Sequence, residues 1–168
     1  RPLFDPRMRH EVQVVVTILS IDEDDPDILA VIGASFALGA SDIPWNGPVS
    51  AIRIADTADL RGLDADRRRH AFIINPTYQI RETARLDLVA CGKEKVVMIE
   101  TGAREVDEKV VFDGIKEAHK QSQEIIDLIE EFTKDAGKKK QEISHLEEIL
   151  EEALLEEATK ITKERIEK

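Results

Sequence analysis

Residues 86–137 constrain the fold more than any other stretch. Leu86 to Cys91 and Lys95 to Thr101 are two strand-like runs separated only by Gly92-Lys93-Glu94. So short a link predicts an antiparallel hairpin. Asp107 then stands where it can cap the free amides of a long helix from Glu108 to Asp135, and Gly137 closes that helix. The apolar stripe of the helix includes Val111, Ile115, Ala118, Ile125, Ile129 and Phe132, spaced for one buried face. A hairpin feeding such a helix predicts an α/β fold.

The residues before the hairpin extend this pattern. Glu11 to Ile21 is β-branched and almost continuously apolar, as expected of a strand covered on both faces. Asp22-Glu23-Asp24-Asp25-Pro26 gives a turn and a helix start, with Asp25 as the cap and Pro26 at the first helical position. The helix is expected to run to about Leu38, burying Ile28, Ile32, Ser35 and Phe36, with Gly39 as its stop. The small residues Gly33, Ala34 and Ser35 allow it to approach a sheet closely. Pro44 to Pro48 is a turn, Val49 to Ile54 a strand, and Asp56 to Arg69 a polar surface loop. His70 to Ile74 is a strand pairing antiparallel with 49–54, and Tyr78 to Ala84 is one or two helical turns. After Lys138-Lys139-Lys140, the residues Ile143, Leu146, Leu150, Leu154, Ala158 and Ile161 form the seam of a second amphipathic helix. The predicted units are a core over 1–137 and a helical linker segment over 138–168.

A chain of 168 residues is long enough to bury a core, removing about 70% of its unfolded surface from water. The net charge of −11 argues against broad electrostatic capture of nucleic acid by these residues alone. The basic exception is Arg61, Arg67, Arg68 and Arg69, set against Asp64 and Asp66. The single Cys91 excludes an internal disulfide and fits a reducing compartment, so a cytoplasmic location is expected. No charged-then-apolar leader and no apolar run of membrane-spanning length is read. There is no phosphate-cradling glycine loop, zinc-ligand spacing or nucleophile elbow.

Five short pieces, taken in order, carry a resemblance. They are Glu11-Val12-Gln13-Val14-Val15-Val16-Thr17, the run from Asp25 to Ser35, Asn46-Gly47-Pro48, Asn75-Pro76-Thr77, and Leu86 to Gly92. Gly114 with His119 and Gln121 adds a Gly…His-x-Gln pattern on the long helix. Together these resemble the polynucleotide phosphorylase family, specifically the later half of its first RNase PH-like core, from Arg1 to about Gly137. The 138–168 segment resembles the start of the family's helical linker domain. The resemblance implies a partial RNase PH-like α/β core followed by an α-helical segment. It also implies a parent enzyme that is a trimer around an RNA channel. That enzyme degrades RNA from the 3′ end by phosphorolysis, with Mg²⁺ in its catalytic core.

The resemblance further implies which core this is. The family's active core places an acidic pair and a Lys on the strand before the Ala-Gly turn. Here Asp87 occupies one acidic position, the companion falls near Arg81 or Glu82, and Val89 stands where the Lys would be. The expectation is a non-catalytic scaffold and channel part with no catalytic residue and no metal of its own. RNA contacts are assigned to Arg1, Arg67, Arg68 and Arg69. The remaining domains of the same enzyme are the expected partners, with no membrane. Two other readings stay open: a non-catalytic subunit of an RNA-degradation ring, and a protein-interaction module.

Plainer roles are preferred for the remaining residues. Asp87 is read as a structural acid bonded to nearby backbone, and His119 as part of a packing interface. Trp45 is read as buried, Cys91 as a small buried residue, and Glu130–Lys134 as an i,i+4 pair on a solvated helix face. The missing earlier strands predict an unpaired sheet edge.

Overall fold

The computed structural model describes residues 3–5, 8, 10–56, 72–142 and 152–166. Its elements in chain order are α1 (Asp27–Ala40), β1 (Ser50–Asp56), β2 (Phe72–Ile74), α2 (Tyr78–Thr83), β3 (Leu86–Gly92), β4 (Val96–Ala103), α3 (Glu108–Ala136) and α4 (Glu152–Ile166). The hairpin forms as expected, with Leu86 opposite Ala103 and a bulge at Cys91/Gly92. β1 pairs antiparallel with both β3 and β2, giving a four-stranded sheet in the order β2-β1-β3-β4. Residues 57–71, on which most of the expected Asp56–Arg69 loop and the start of the expected His70–Ile74 strand fall, and the first half of the second-helix seam (Ile143, Leu146, Leu150) lie outside the described residues.

Alternation along β1 and β3 gives the sheet two apolar faces. On one face Ile52, Ile54, Leu86, Leu88 and Ala90 pack with Val110 and Ala118 of α3. On the other, Ala51, Val89, Cys91 and Val49 pack with Ile28 of α1, with Trp45 partly buried beside them. The observed fold is therefore mixed α/β, a sheet between α1 and α3.

Asp107 caps α3 by accepting a hydrogen bond from the Lys109 amide at 2.8 Å. The buried line of α3 is Val110, Gly114, Ala118, Ser122, Ile126 and Ile129, rotated from the stripe read in the sequence. The reason is steric: small side chains let the helix backbone approach the sheet, and Val111, Ile115 and Ile125 flank the contact. A Cβ on Gly114 would lie 2.7 Å from Ile54 Cδ1. Farther along, Phe132 of α3 meets Phe36 of α1 edge-on, with ring centroids 5.1 Å apart.

Three expectations are corrected. Glu11 to Ile21 is not a strand. A strand needs a ladder partner, and none of the described strands pairs with these residues, so Val15 (73% exposed) and Leu19 (93%) face solvent. Gly39 does not stop α1; it lies inside the helix, buried where a Cβ would strike Thr133 of α3. Gly33 is exposed and open, and the close approach is made by Ser35, whose hydroxyl accepts from the Val49 amide at 3.0 Å. Among the described residues, no helix is long and apolar enough to cross a membrane.

Candidate functional site

The α1 side of the sheet carries two arginines and three aspartates in one cluster. β1 alternation puts Arg53 on the same side as Ala51, and β3 alternation puts Asp87 on the same side as Val89 and Cys91. Arg53 Nη1 donates to both Asp87 oxygens at 2.9 Å, and its Nη2 donates to Asp27 Oδ2 at 2.6 Å. α2 brings Arg81, whose Nε donates to Asp87 Oδ2 at 2.8 Å and whose Nη1 donates to Asp25 Oδ2 at 2.7 Å. The Tyr78 ring lies 5.4 Å from the Arg81 guanidinium carbon, a cation–π distance.

Local chain geometry holds these groups in place. Asn75, at φ 45°, gives its amide to Arg53 O at 2.8 Å and accepts from the Arg53 amide through Oδ1 at 3.2 Å. The N-cap of α1 falls on Pro26, and the helix starts at Asp27, one residue later than expected. Asp25, one place before the cap, accepts from the Asp27 amide at 3.2 Å while also serving the cluster. The Tyr78 amide donates to Glu23 O at 2.9 Å, tying α2 to the turn before α1.

The electrostatics follow from this packing. The Arg53 side chain is only 9% exposed, so its charge needs compensation. Burial works against both guanidiniums, but the hydrogen bonds and charges of Asp27 and Asp87 on Arg53, and of Asp25 and Asp87 on Arg81, outweigh it and push their pKa values up. Burial likewise works against the charge of Asp25. The Arg81 hydrogen bond, the Asp27 amide and the two guanidinium charges win, holding its carboxyl below the usual carboxylate range. Three carboxylates against two guanidiniums leave one negative charge in excess.

Asp87 is therefore a structural acid, but its partners are guanidiniums, not the neighbouring backbone. Both of its oxygens already accept N–H donors. A divalent cation, which seeks carboxylate oxygens free of competing positive charge, does not suit this donor set. Two residues along the same face, Val89 is buried (4% exposed) among Ile28, Val49, Ala51 and Cys91. Arg53 and Arg81 were missed as cluster members by sequence reasoning. The available signal was an arginine inside the apolar run Val49 to Ile54, a place that demands a buried counter-charge.

The other candidates fall elsewhere. Arg1, Arg67, Arg68 and Arg69 lie outside the described residues. His119 is half-buried on α3 with its Nδ1 enclosed and without a partner. Gln121 bonds Glu117 at 2.7 Å. Glu130 is held by Lys93 of the hairpin turn at 3.2 Å. Trp45 is half-buried, 6.3 Å from Phe4 between ring centroids. Cys91 is buried, and that burial pushes its thiol pKa up.

Residues 47–121 match the family model described as 3′ exoribonuclease family, domain 2. A polyribonucleotide nucleotidyltransferase of Thermus thermophilus is 44% identical over 142 residues, covering 83% of this chain and 18% of that protein. The protein of the same name from Halothermothrix orenii is 43% identical over 147 residues, 86% of this chain and 19% of its own length. That from Clostridioides difficile is 40% identical over 163 residues, 95% of this chain and 22% of its own. The chain thus spans about a fifth of the length of the curated relatives it matches. Residues 47–121, which carry Arg53, Arg81 and Asp87, match domain 2 of the 3′ exoribonuclease family, and over most of its length the chain is similar to polyribonucleotide nucleotidyltransferases.

Proposed function

We propose that this chain is a piece of a polyribonucleotide nucleotidyltransferase and supplies the later half of its non-catalytic first core. In this reading the parent enzyme shortens RNA from the 3′ end: inorganic phosphate attacks the terminal phosphodiester, and a nucleoside diphosphate leaves. The piece forms scaffold and RNA-channel wall in a cytoplasmic trimer, and bond cleavage belongs to the second core. Mg²⁺ serves the parent's catalytic core, and no site for it is assigned to this piece. Arg1 and Arg67 to Arg69 are the proposed contacts to the RNA backbone.

The observation that carries the reading is the pairing at Asp87. Phosphoryl transfer requires cationic donors aimed at the charge developing on phosphate. Here both guanidiniums are turned onto carboxylates, and Val89 contributes no charge at all. The exposed apolar residues between Val14 and Ile21 support a second element of the reading, that the partner is the remainder of the same enzyme, whose strands would cover them.

The test is phosphate-dependent release of nucleoside diphosphates from poly(A). This chain alone should release none, and activity should return when the rest of the parent enzyme is supplied. Release by this chain alone would overturn the non-catalytic assignment. Failure to assemble with the remainder would favour a protein-interaction module.

A further inference from the structure

At the C-terminal end of α1 the local side-chain cap is the Ser41 hydroxyl, which donates to Leu38 O at 2.9 Å, and the other side-chain cap comes from afar. The last turn of α1 holds no basic residue, and Ser41, which follows it, is extended at φ −73°, ψ 169°, not left-handed as a glycine cap would be. Helix ends leave carbonyls that need donors. Here the further donors come from about a hundred residues away, in the stretch just after α3. Lys140 Nζ lies 2.7, 3.0 and 2.6 Å from the carbonyl oxygens of Leu38, Gly39 and Ser41. All three N–H donors of the ammonium can be used in this way. On either side of it, the Lys138 amide donates to Ala40 O at 3.1 Å and the Gln141 amide to Asp42 O at 2.8 Å. Gln141 Nε2 adds a bond to Asp42 Oδ2 at 2.6 Å.

We propose that Lys140 is a latch: by capping α1 it pins residues 138–142 to the core and so sets where the chain departs toward residues 143–168. The charge of the ammonium matches the negative end of the α1 dipole, and a single side chain gathers three carbonyls, of which Leu38 O is shared with the local Ser41 hydroxyl. Asp42 supplies the nearby opposite charge, while burial pulls the amine below the usual lysine range. Glu130 and Lys134 of α3 line the same cavity, of about 250 Å³. Without the ammonium, the Gly39 and Ser41 carbonyls lose this donor and Leu38 O keeps only the Ser41 hydroxyl. Water then has to enter, and the adjoining amide bonds of Lys138 and Gln141 become the weakest points of the connection.

The test is amide hydrogen exchange on the intact 168-residue chain. Lys140→Met keeps the aliphatic stem and removes the donors. Exchange at the Lys138 and Gln141 amides should speed up by about tenfold or more, while the amides of β1 and β3 keep their native rates. Lys139→Met, at a side chain 89% exposed, should leave every rate unchanged. Native rates at Lys138 and Gln141 in Lys140→Met would overturn the latch. So would equal acceleration in Lys139→Met, which would point to bulk charge. Loss of protection across β1 and β3 would also overturn it, because Lys140 would then hold the whole fold and not the exit.

Discussion

Arg53 and Asp87 stand on neighbouring antiparallel strands, and one guanidinium nitrogen lies 2.9 Å from both carboxylate oxygens. Removing Arg53 leaves Asp87 to Arg81 alone, takes the guanidinium from Asp27, and raises the cluster's excess from one negative charge to two, which costs more than a pair itself contributes. Arg53→Leu should therefore lower unfolding free energy by about 3 kcal/mol, read from the shift of the urea midpoint. Adding Asp87→Leu should recover part of that loss, because it returns the excess to one negative charge with Arg81 still paired to Asp25. A single variant with a native midpoint would show that the pair is screened by water despite the 9% exposure of the Arg53 side chain.

Asp25 makes the cluster sensitive to acid. Its carboxyl is held below the usual range by Arg81, the Asp27 amide and the guanidinium charges, against burial. A group with a depressed folded pKa contributes stability above its unfolded value, about 3.9, and loses that contribution as pH falls through the folded value. Urea unfolding followed from about pH 5 downward should show native stability falling more steeply than that of Asp25→Asn. Parallel curves would mean that Asp25 titrates alike in the folded and unfolded chain.

The hairpin and the α3 cap at Asp107 were legible in the sequence because each depends on neighbours a few residues apart, and the β1–β2 pairing because the two strands follow one another in the chain. Arg53 meeting Asp87, Asp27 and Asp25 was not. Those contacts join residues up to 34 apart, and the sheet register together with the packing of α1 on that face brings them together. The strand read over 11–21 failed for a related reason: β-branched composition states a preference, while a strand exists only where a ladder partner does. The α3 stripe was rotated because periodicity marks large apolar residues, whereas the closest contact with the sheet is made by Gly114, Ala118 and Ser122. Lys140 reads as a break in a helix pattern, and nothing in its sequence neighbourhood points to the end of α1.

Gly114 separates a tolerated change from a damaging one. An added Cβ would lie 2.7 Å from Ile54 Cδ1, the movable end of a side chain, and 3.5 Å from Phe72 Cε1. Gly114→Ala should stay within about 1 kcal/mol of native stability, since a gain in helix propensity of that order offsets the push on Ile54. Gly114→Leu has no room and should cost about 3 kcal/mol or more through overpacking. Thermal or urea unfolding of the two variants checks the contrast. Equal stability of both would mean that α3 can lift from the sheet without loss.

Cys91 should be a slow thiol. It is buried on the α1 side of β3, and burial raises its pKa. Both effects reduce access to the thiolate that reacts. Modification by a disulfide reagent at about pH 8 should run about a hundredfold or more slower in the folded chain than in urea. Matching rates would place Cys91 at an opening that the packing of Ile28, Val49 and Val89 does not contain.

Val15 and Leu19 present apolar side chains to water at 73% and 93% exposure. Val14, Val16, Ile18 and Ile21 in the same run are also exposed. A contiguous exposed apolar run in an isolated chain drives association, so this chain alone should form oligomers whose size grows with concentration. Replacing both residues, as Val15→Lys with Leu19→Lys, should shift the chain toward monomer in sedimentation. It should leave the unfolding midpoint close to native, because neither side chain contributes to the cores on either face of the sheet. If the run instead pairs with the rest of the parent enzyme, the same variant should lose that assembly while keeping its fold. A native-like concentration dependence in the double variant would remove residues 14–21 as the cause of association. It would turn attention to the other exposed apolar edge, Val97 to Ile99 of β4.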